Sequence, residues 1–312
     1  MYFLAIRVNV FYKQLKTLLL NCFQTCQQWQ VAFTCLLLRK VNYRLFLLTL
    51  RAIQFFTPVS RQEARLSVVA KENKRCLLGK TRGVLNYPWI NQRRRLLELA
   101  ATYGRNKALL QELQRCSEQL NSVVKPLHDC GSPVILAPLH MVSDVLAGIV
   151  GSQVYPEHST VVVSSSAQAF EPGKEINLRF CSIHNENHQI ASELINAIAE
   201  AAQHKTNIML FPDITPDFTH QYNISATAKF DCQLFGRAAR IHSGIIRLAR
   251  MLSAKVVFYH LYYDNGVKIK IYPAVDAKDI EEQAHSLIEH AIKSYSDEWL
   301  LWHTHSLFFF NE

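Results

Sequence analysis

The residues best placed to do chemistry are Leu139-His140-Met141-Val142-Ser143-Asp144, which follow directly on the apolar run Pro133-Val-Ile-Leu-Ala137. That run reads as a buried strand, and parallel-sheet folds place their reactive groups just past such strand ends. If the chain turns helical from Met141 onward, His140 and Asp144 stand four apart on one helix face. An imidazole paired with a carboxylate is a general-base unit: the acid fixes the tautomer and stabilises the imidazolium once a proton has been taken from a hydroxyl or amine. The spacing alone is weak evidence, since a His and an Asp four apart recur by chance. A second candidate is the pair Asp213 and Asp217, flanking Pro216 after the run Asn207-Ile-Met-Leu-Phe211. These carboxylates either hold a substrate amine or cap the loop. His184, His188, His303 and His305 lack the acids or cysteines that would complete a ligand set, so no metal or other cofactor is expected. The eight cysteines are scattered without a CxxC pair, which suits reduced thiols in a cytoplasmic compartment.

The elements that must position these groups follow from pattern. Ser60-Arg-Gln-Glu63 is a capping-box signature, and Asn91–Leu120 repeats apolar residues at helical spacing, so Thr57 to about Cys130 reads as helices. Beyond Cys130, strands at Pro133–Ala137, Thr160–Val163, Asn207–Phe211, Lys255–Tyr262 and Val267–Tyr272 alternate with helices at Gln189–Gln203, Gly244–Leu252 and Asp279–Trp302. Asp264-Asn265-Gly266 is a turn between the last two strands. This alternation predicts an α/β fold with a mostly parallel central sheet flanked by helices and a late antiparallel hairpin.

The first fifth of the chain differs. Of its 312 residues, the first 62 hold eight of the 34 Lys and Arg and none of the 25 Asp and Glu. The same stretch is dense in Leu, Phe, Ile and Val. Nucleic-acid arms are polar, so the basic excess is read as meeting an anionic membrane rather than nucleic acid. No window of about 20 residues is free of charge, as a spanning helix requires, and no small-residue cleavage site follows a compact apolar core. An amphipathic helical segment lying in the interface is expected over residues 1–56, ahead of an α/β domain over 57–312. The alternatives are a helix docked on the protein's own core and a single spanning helix with snorkelling arginines.

Several blocks then carry a resemblance. A His after a buried strand, the strand end Phe211-Pro212-Asp213, the segment Leu234-Phe235-Gly236-Arg237-Ala238-Ala239, Gly244-Ile-Ile-Arg-Leu248-Ala249-Arg250 and the closing Trp299-Leu-Leu-Trp302-His303 resemble the lipid A biosynthesis acyltransferases of the lysophospholipid acyltransferase superfamily. The similarity runs from about Arg39 to His305 and is most specific between Ile208 and Ala254. It implies a peripheral or monotopic enzyme on the cytoplasmic face of the inner membrane. Its activity would be transfer of an acyl group from a carrier-protein thioester to a hydroxyl of lipid A or its precursor. His140 would be the base and Asp144 its partner, with Ser143, Ser165, Arg179, Asp213 and Arg237 as substrate contacts. The partners implied are an acyl or aminoacyl carrier protein, the lipid A acceptor and the anionic membrane.

Two departures widen that expectation. The family places its acid five residues after the His, where this chain has Val145 and its nearest acid is Asp144. The family's Arg after the second strand is replaced by Ser164-Ser165-Ser166, with Arg179 a candidate substitute. A smaller, more polar site suits a shorter donor, as in the branch that transfers glycine to lipid A. A non-catalytic membrane-binding homologue is the reading from a different class.

Overall fold

Strand β1 (Val134–Pro138) buries all five of its residues, so it must lie in the middle of a sheet covered on both faces. In the computed structural model it does. The structure describes residues 29, 32–54, 56, 59–79, 85–156, 160–164, 178–182, 187–214 and 229–304. Helices α1 (Tyr43–Gln54), α2 (Arg61–Leu78), α3 (Tyr87–Ala101) and α4 (Lys107–Asp129) precede β1. After it come α5 (Asp144–Ser152), β2 (Thr160–Ser164), β3 (Leu178–Ser182), α6 (Asn187–Ala202) and β4 (Ile208–Leu210). The remainder is β5 (Lys229–Leu234), β6 (Arg237–His242), α7 (Gly244–Leu252), β7 (Lys255–Tyr263), β8 (Val267–Ile271), β9 (Val275–Asp276), α8 (Ile280–Ser294) and a short 3-10 turn at Leu300–His303.

The main sheet has seven strands in the order β3-β2-β4-β1-β7-β8, with β9 also paired to β7. Contacts from β3 through β7 are parallel, while β8 and β9 run antiparallel to β7. The fold is therefore α/β with a mostly parallel, mixed central sheet. Alternation along β1 assigns its faces: Ile135, Ala137 and Leu139 join the cluster containing α7 and α8 residues, and Val134 and Leu136 join the one containing α1, α4 and α5 residues. Each of the buried Val, Ile and Leu side chains contributes roughly 1.5–3 kcal/mol of transfer free energy, which makes this strand the anchor of the site that follows it.

Local rules hold where they were strongest. Ser60 Oγ accepts from Glu63 N at 3.2 Å to start α2. In the β7–β8 turn, Asn265 (φ 49°) and Gly266 (φ 145°) take left-handed backbone. The turn favours glycine for its φ, and a Cβ on Gly266, 2.8 Å from Arg44 Nη2 and 3.1 Å from Glu112 Oε2, would also push on the Arg44–Glu112 pair.

Other expectations are corrected. Residues 141–143 are not helical; α5 begins only at Asp144, capped by Ser143. The closing helix expected over 279–302 stops at Ser294 and gives way to a turn. Strand β3 and the separate β5–β6 hairpin add to the elements that the sequence pattern predicts. In that hairpin Phe235 (φ 53°) and Gly236 (φ 71°) form the two-residue turn between the paired Leu234 and Arg237, so Leu234-Phe235-Gly236-Arg237 is a hairpin tip.

At the front of the chain, residues 32–40 are helical and lead into α1. Leu38, Tyr43 and Leu47 are buried in the main core. Tyr43 Oη and Arg44 both donate to the carboxylate of Glu112, which also accepts from Val267 N at 2.8 Å. The opposite side is apolar and open: Trp29, Phe33 and Leu36, then Leu45, Leu48, Ile53 and Phe56, are exposed at spacings of three and four with one step of five. Among the described residues no helix is long and apolar enough to cross a membrane.

Candidate active site

Parallel pairing puts the ends of β1 and β4 side by side, with Ile135 level with Ile208 and Leu136 with Met209. The loops leaving the two strands therefore meet, and they carry His140 and Asp213. Asp213 has no exposed surface, and its carboxylate is held by three donors. Oδ1 lies 2.8 Å from His140 Nδ1; Oδ2 accepts from His140 N at 2.9 Å and from Trp299 Nε1 at 2.9 Å. A carboxylate only accepts, so Nδ1 carries the proton and the neutral ring presents Nε2 as its basic lone pair. Nε2 has no hydrogen bond within the described residues, and the side chain keeps 13% of its surface exposed. The Phe211 ring packs on the imidazole with centroids 4.6 Å apart.

Burial opposes a charged imidazole, but the charge and hydrogen bond of Asp213 outweigh it, and His140 titrates above the ordinary histidine value. Asp144 adds to that rise and Arg94 works against it.

The loop is tightly determined. Met141 N donates to Leu139 O and Ser143 N to Met141 O, each at 2.7 Å. Val142 sits at φ 60°, a region a β-branched residue rarely enters unless its surroundings impose it. The imposing segment is 298–300: Val142 N donates to Glu298 O at 3.1 Å, Leu300 N donates to His140 O at 2.9 Å, and Met141 bridges Trp299. Glu298 is itself ion-paired with Arg93, both largely buried.

The other expected site residues fall differently. Asp144 is not hydrogen-bonded to His140; its Oδ1 faces Arg94 Nη2 at 3.1 Å. The physical reason is that the chain between them is not helical, so the four-residue spacing does not set them on one face. Ser143 is fully buried; its hydroxyl donates to Glu98 Oε1 at 2.8 Å and accepts from Leu146 N at 3.1 Å, so it caps α5 and does not line an open surface. Asp213 is closed to any substrate by its burial and its three donors. Arg179 lies on β3, three strands from β1 or about 14 Å across the sheet, and is ion-paired with Glu200. Arg237 lies at the hairpin tip, where Nη2 donates to Cys76 O at 3.3 Å. Ser165, Asp217, His184 and His305 lie outside the described residues, as does the side chain of His188.

Sequence reading missed Arg94, Glu98, Glu298 and Trp299 as neighbours of the site. Among the described residues no group of three or more His, Cys, Asp or Glu gathers as a metal site would require. No family model matches the chain, and no curated protein matches it significantly.

Proposed function

We propose that this chain is a membrane-associated transferase that moves an acyl group from a carrier-protein thioester to a hydroxyl of lipid A or its precursor, with His140 as general base. The observation that carries this reading is the His140–Asp213 pair: a buried carboxylate holds Nδ1–H, and a free Nε2 sits at the end of a parallel strand. In the reaction Nε2 removes the acceptor's hydroxyl proton as the oxygen attacks the thioester carbonyl. The new C–O bond forms, the tetrahedral intermediate collapses with loss of the C–S bond, and the imidazolium returns its proton to the leaving thiolate. Asp213 stabilises the imidazolium between those two steps.

Membrane association is supported by the exposed Trp29, Phe33, Leu36, Leu45, Leu48, Ile53 and Phe56, with the exposed Arg39, Lys40 and Arg51 among them. The apolar groups suit burial at the headgroup boundary, with the cations meeting anionic lipid. The corresponding location would be the cytoplasmic face of the inner membrane.

A second donor class is favoured by the charge around the pair. Asp144 and Glu98 share one guanidinium, that of Arg94, and two carboxylates on one cation beside the His140–Asp213 pair suit a donor bearing an ammonium group, as a glycyl thioester does. Mass spectrometry of lipid A from cells with and without the chain separates the two. A long-chain acyl increment supports the first reading and a glycine-sized one the second. Unchanged lipid A in cells shown to contain the folded chain, or modification that survives His140→Ala, overturns the proposal.

A further inference from the structure

The three donors on Asp213 come from only two residues, and the second of them, Trp299, is not part of the proton path. We propose that Trp299 is a positioning residue: its indole N–H, delivered by the 298–300 segment, fixes the Asp213 carboxylate so that Oδ1 stays on His140 Nδ1. This rests on the reading of His140 as the base.

The geometry supports it in three ways. Trp299 has no exposed surface, so it cannot touch substrate. Its N–H shares Oδ2 with the His140 backbone amide, which prevents the carboxylate from rotating about its Cβ–Cγ bond and offering the wrong oxygen to the ring. The segment that presents it is fixed to the same loop by the bonds Val142 N to Glu298 O and Leu300 N to His140 O. The neighbouring Trp302 makes a useful contrast. It packs edge-on against Trp299 with centroids 4.7 Å apart and is equally buried, but its N–H goes to Ser296 O at 2.7 Å.

The sign of the effect on His140 follows from the groups that face it: Asp213 from the β4 end, Asp144 from the start of α5 and Arg94 from α3, with the apolar Phe211 ring beside them. An indole N–H on Oδ2 draws negative charge away from the oxygen that faces Nδ1. Removing that donor leaves more charge for the imidazolium, so His140 should become easier to protonate. Trp299→Phe should raise the His140 titration midpoint by about one unit, followed by NMR of histidine-labelled full-length protein with His140→Ala for assignment. The acid limb of the rate profile should move to higher pH by the same amount, and kcat should fall about tenfold with KM unchanged. Trp302→Phe, a comparable packing lesion, should leave the His140 midpoint in place.

A His140 midpoint that stays or falls in folded Trp299→Phe overturns the proposal. In the wild type the Trp299 indole proton resonance should shift with the same midpoint as His140. A flat indole resonance across that titration also overturns it, even where the variant fails to fold. Wild-type protein that titrates this way yet transfers nothing would instead remove the functional reading and leave the brace intact.

Discussion

Two histidines on adjoining strands, the nearly buried His140 beyond β1 and the fully buried His260 within β7, titrate in opposite directions. Their strands are paired, with Pro138 level with Tyr259. His140 is raised above the ordinary value by Asp213. His260, fully buried beside Tyr272 and Tyr295, is pushed down by burial to about 3, although Asp213 also acts on it from a distance. Neither ring nitrogen of His260 has a hydrogen-bond partner among the described residues, nor has the hydroxyl of Tyr272. The same carboxylate thus overcomes desolvation where it touches the ring and loses to it where it does not. Contact, not proximity, decides the direction.

That contrast can be broken from either side. His140→Ala should lower transfer about 10³-fold or more, measured with a carrier thioester donor and lipid acceptor; a loss under tenfold would return His140 to the ranks of buried histidines. Asp213→Asn keeps the shape and removes the charge, and should turn His140 into a second His260. Its titration should drop below the ordinary value, and the rate should fall about 10²- to 10³-fold.

The two rings also predict opposite stability slopes. His140 is raised on folding, so its pairing contributes fully below the unfolded value near 6.5 and is lost as pH rises through the higher folded value. Transfer activity should rise over that same interval as the base becomes neutral. His260 is depressed, so the unfolded chain takes up a proton that the folded chain refuses once pH falls below 6.5. The resulting loss should approach about 3 kcal/mol by pH 4. His260→Phe should flatten that acid-side fall in urea midpoints, and an unchanged slope would deny His260 the role. The smallest effect is expected for Asp144→Asn, about threefold in rate, because its carboxylate faces Arg94. A loss larger than that of Asp213→Asn would invert the assignment.

What could be seen in the sequence was local. The apolar runs of β1 and β7, the Ser60 cap and the Asp264-Asn265-Gly266 turn each announce themselves within a few residues. His140 could be found because a lone polar ring directly follows a buried strand. Its partner could not: Asp213 is 73 residues away, and only the adjacency of β1 and β4 connects them. Asp144 is a partner only for a helix that starts at Met141, and backbone strain at Val142, imposed by segment 298–300, decides otherwise. The β5–β6 hairpin was hidden because its exposed charges, such as Asp231 and Arg240, break the apolar alternation that marks a strand.

The brace from segment 298–300 also has a consequence in time. A chain emerging from the ribosome brings out His140 first, Asp213 next and Trp299 last. Until residues 298–300 dock, Val142 has nothing to hold it at positive φ and the carboxylate has lost one of its donors. The His140–Asp213 pair would thus be completed by the last-made part of the described chain, long after the front helices have emerged. Under the proposed function, attachment to the membrane would precede competence for transfer.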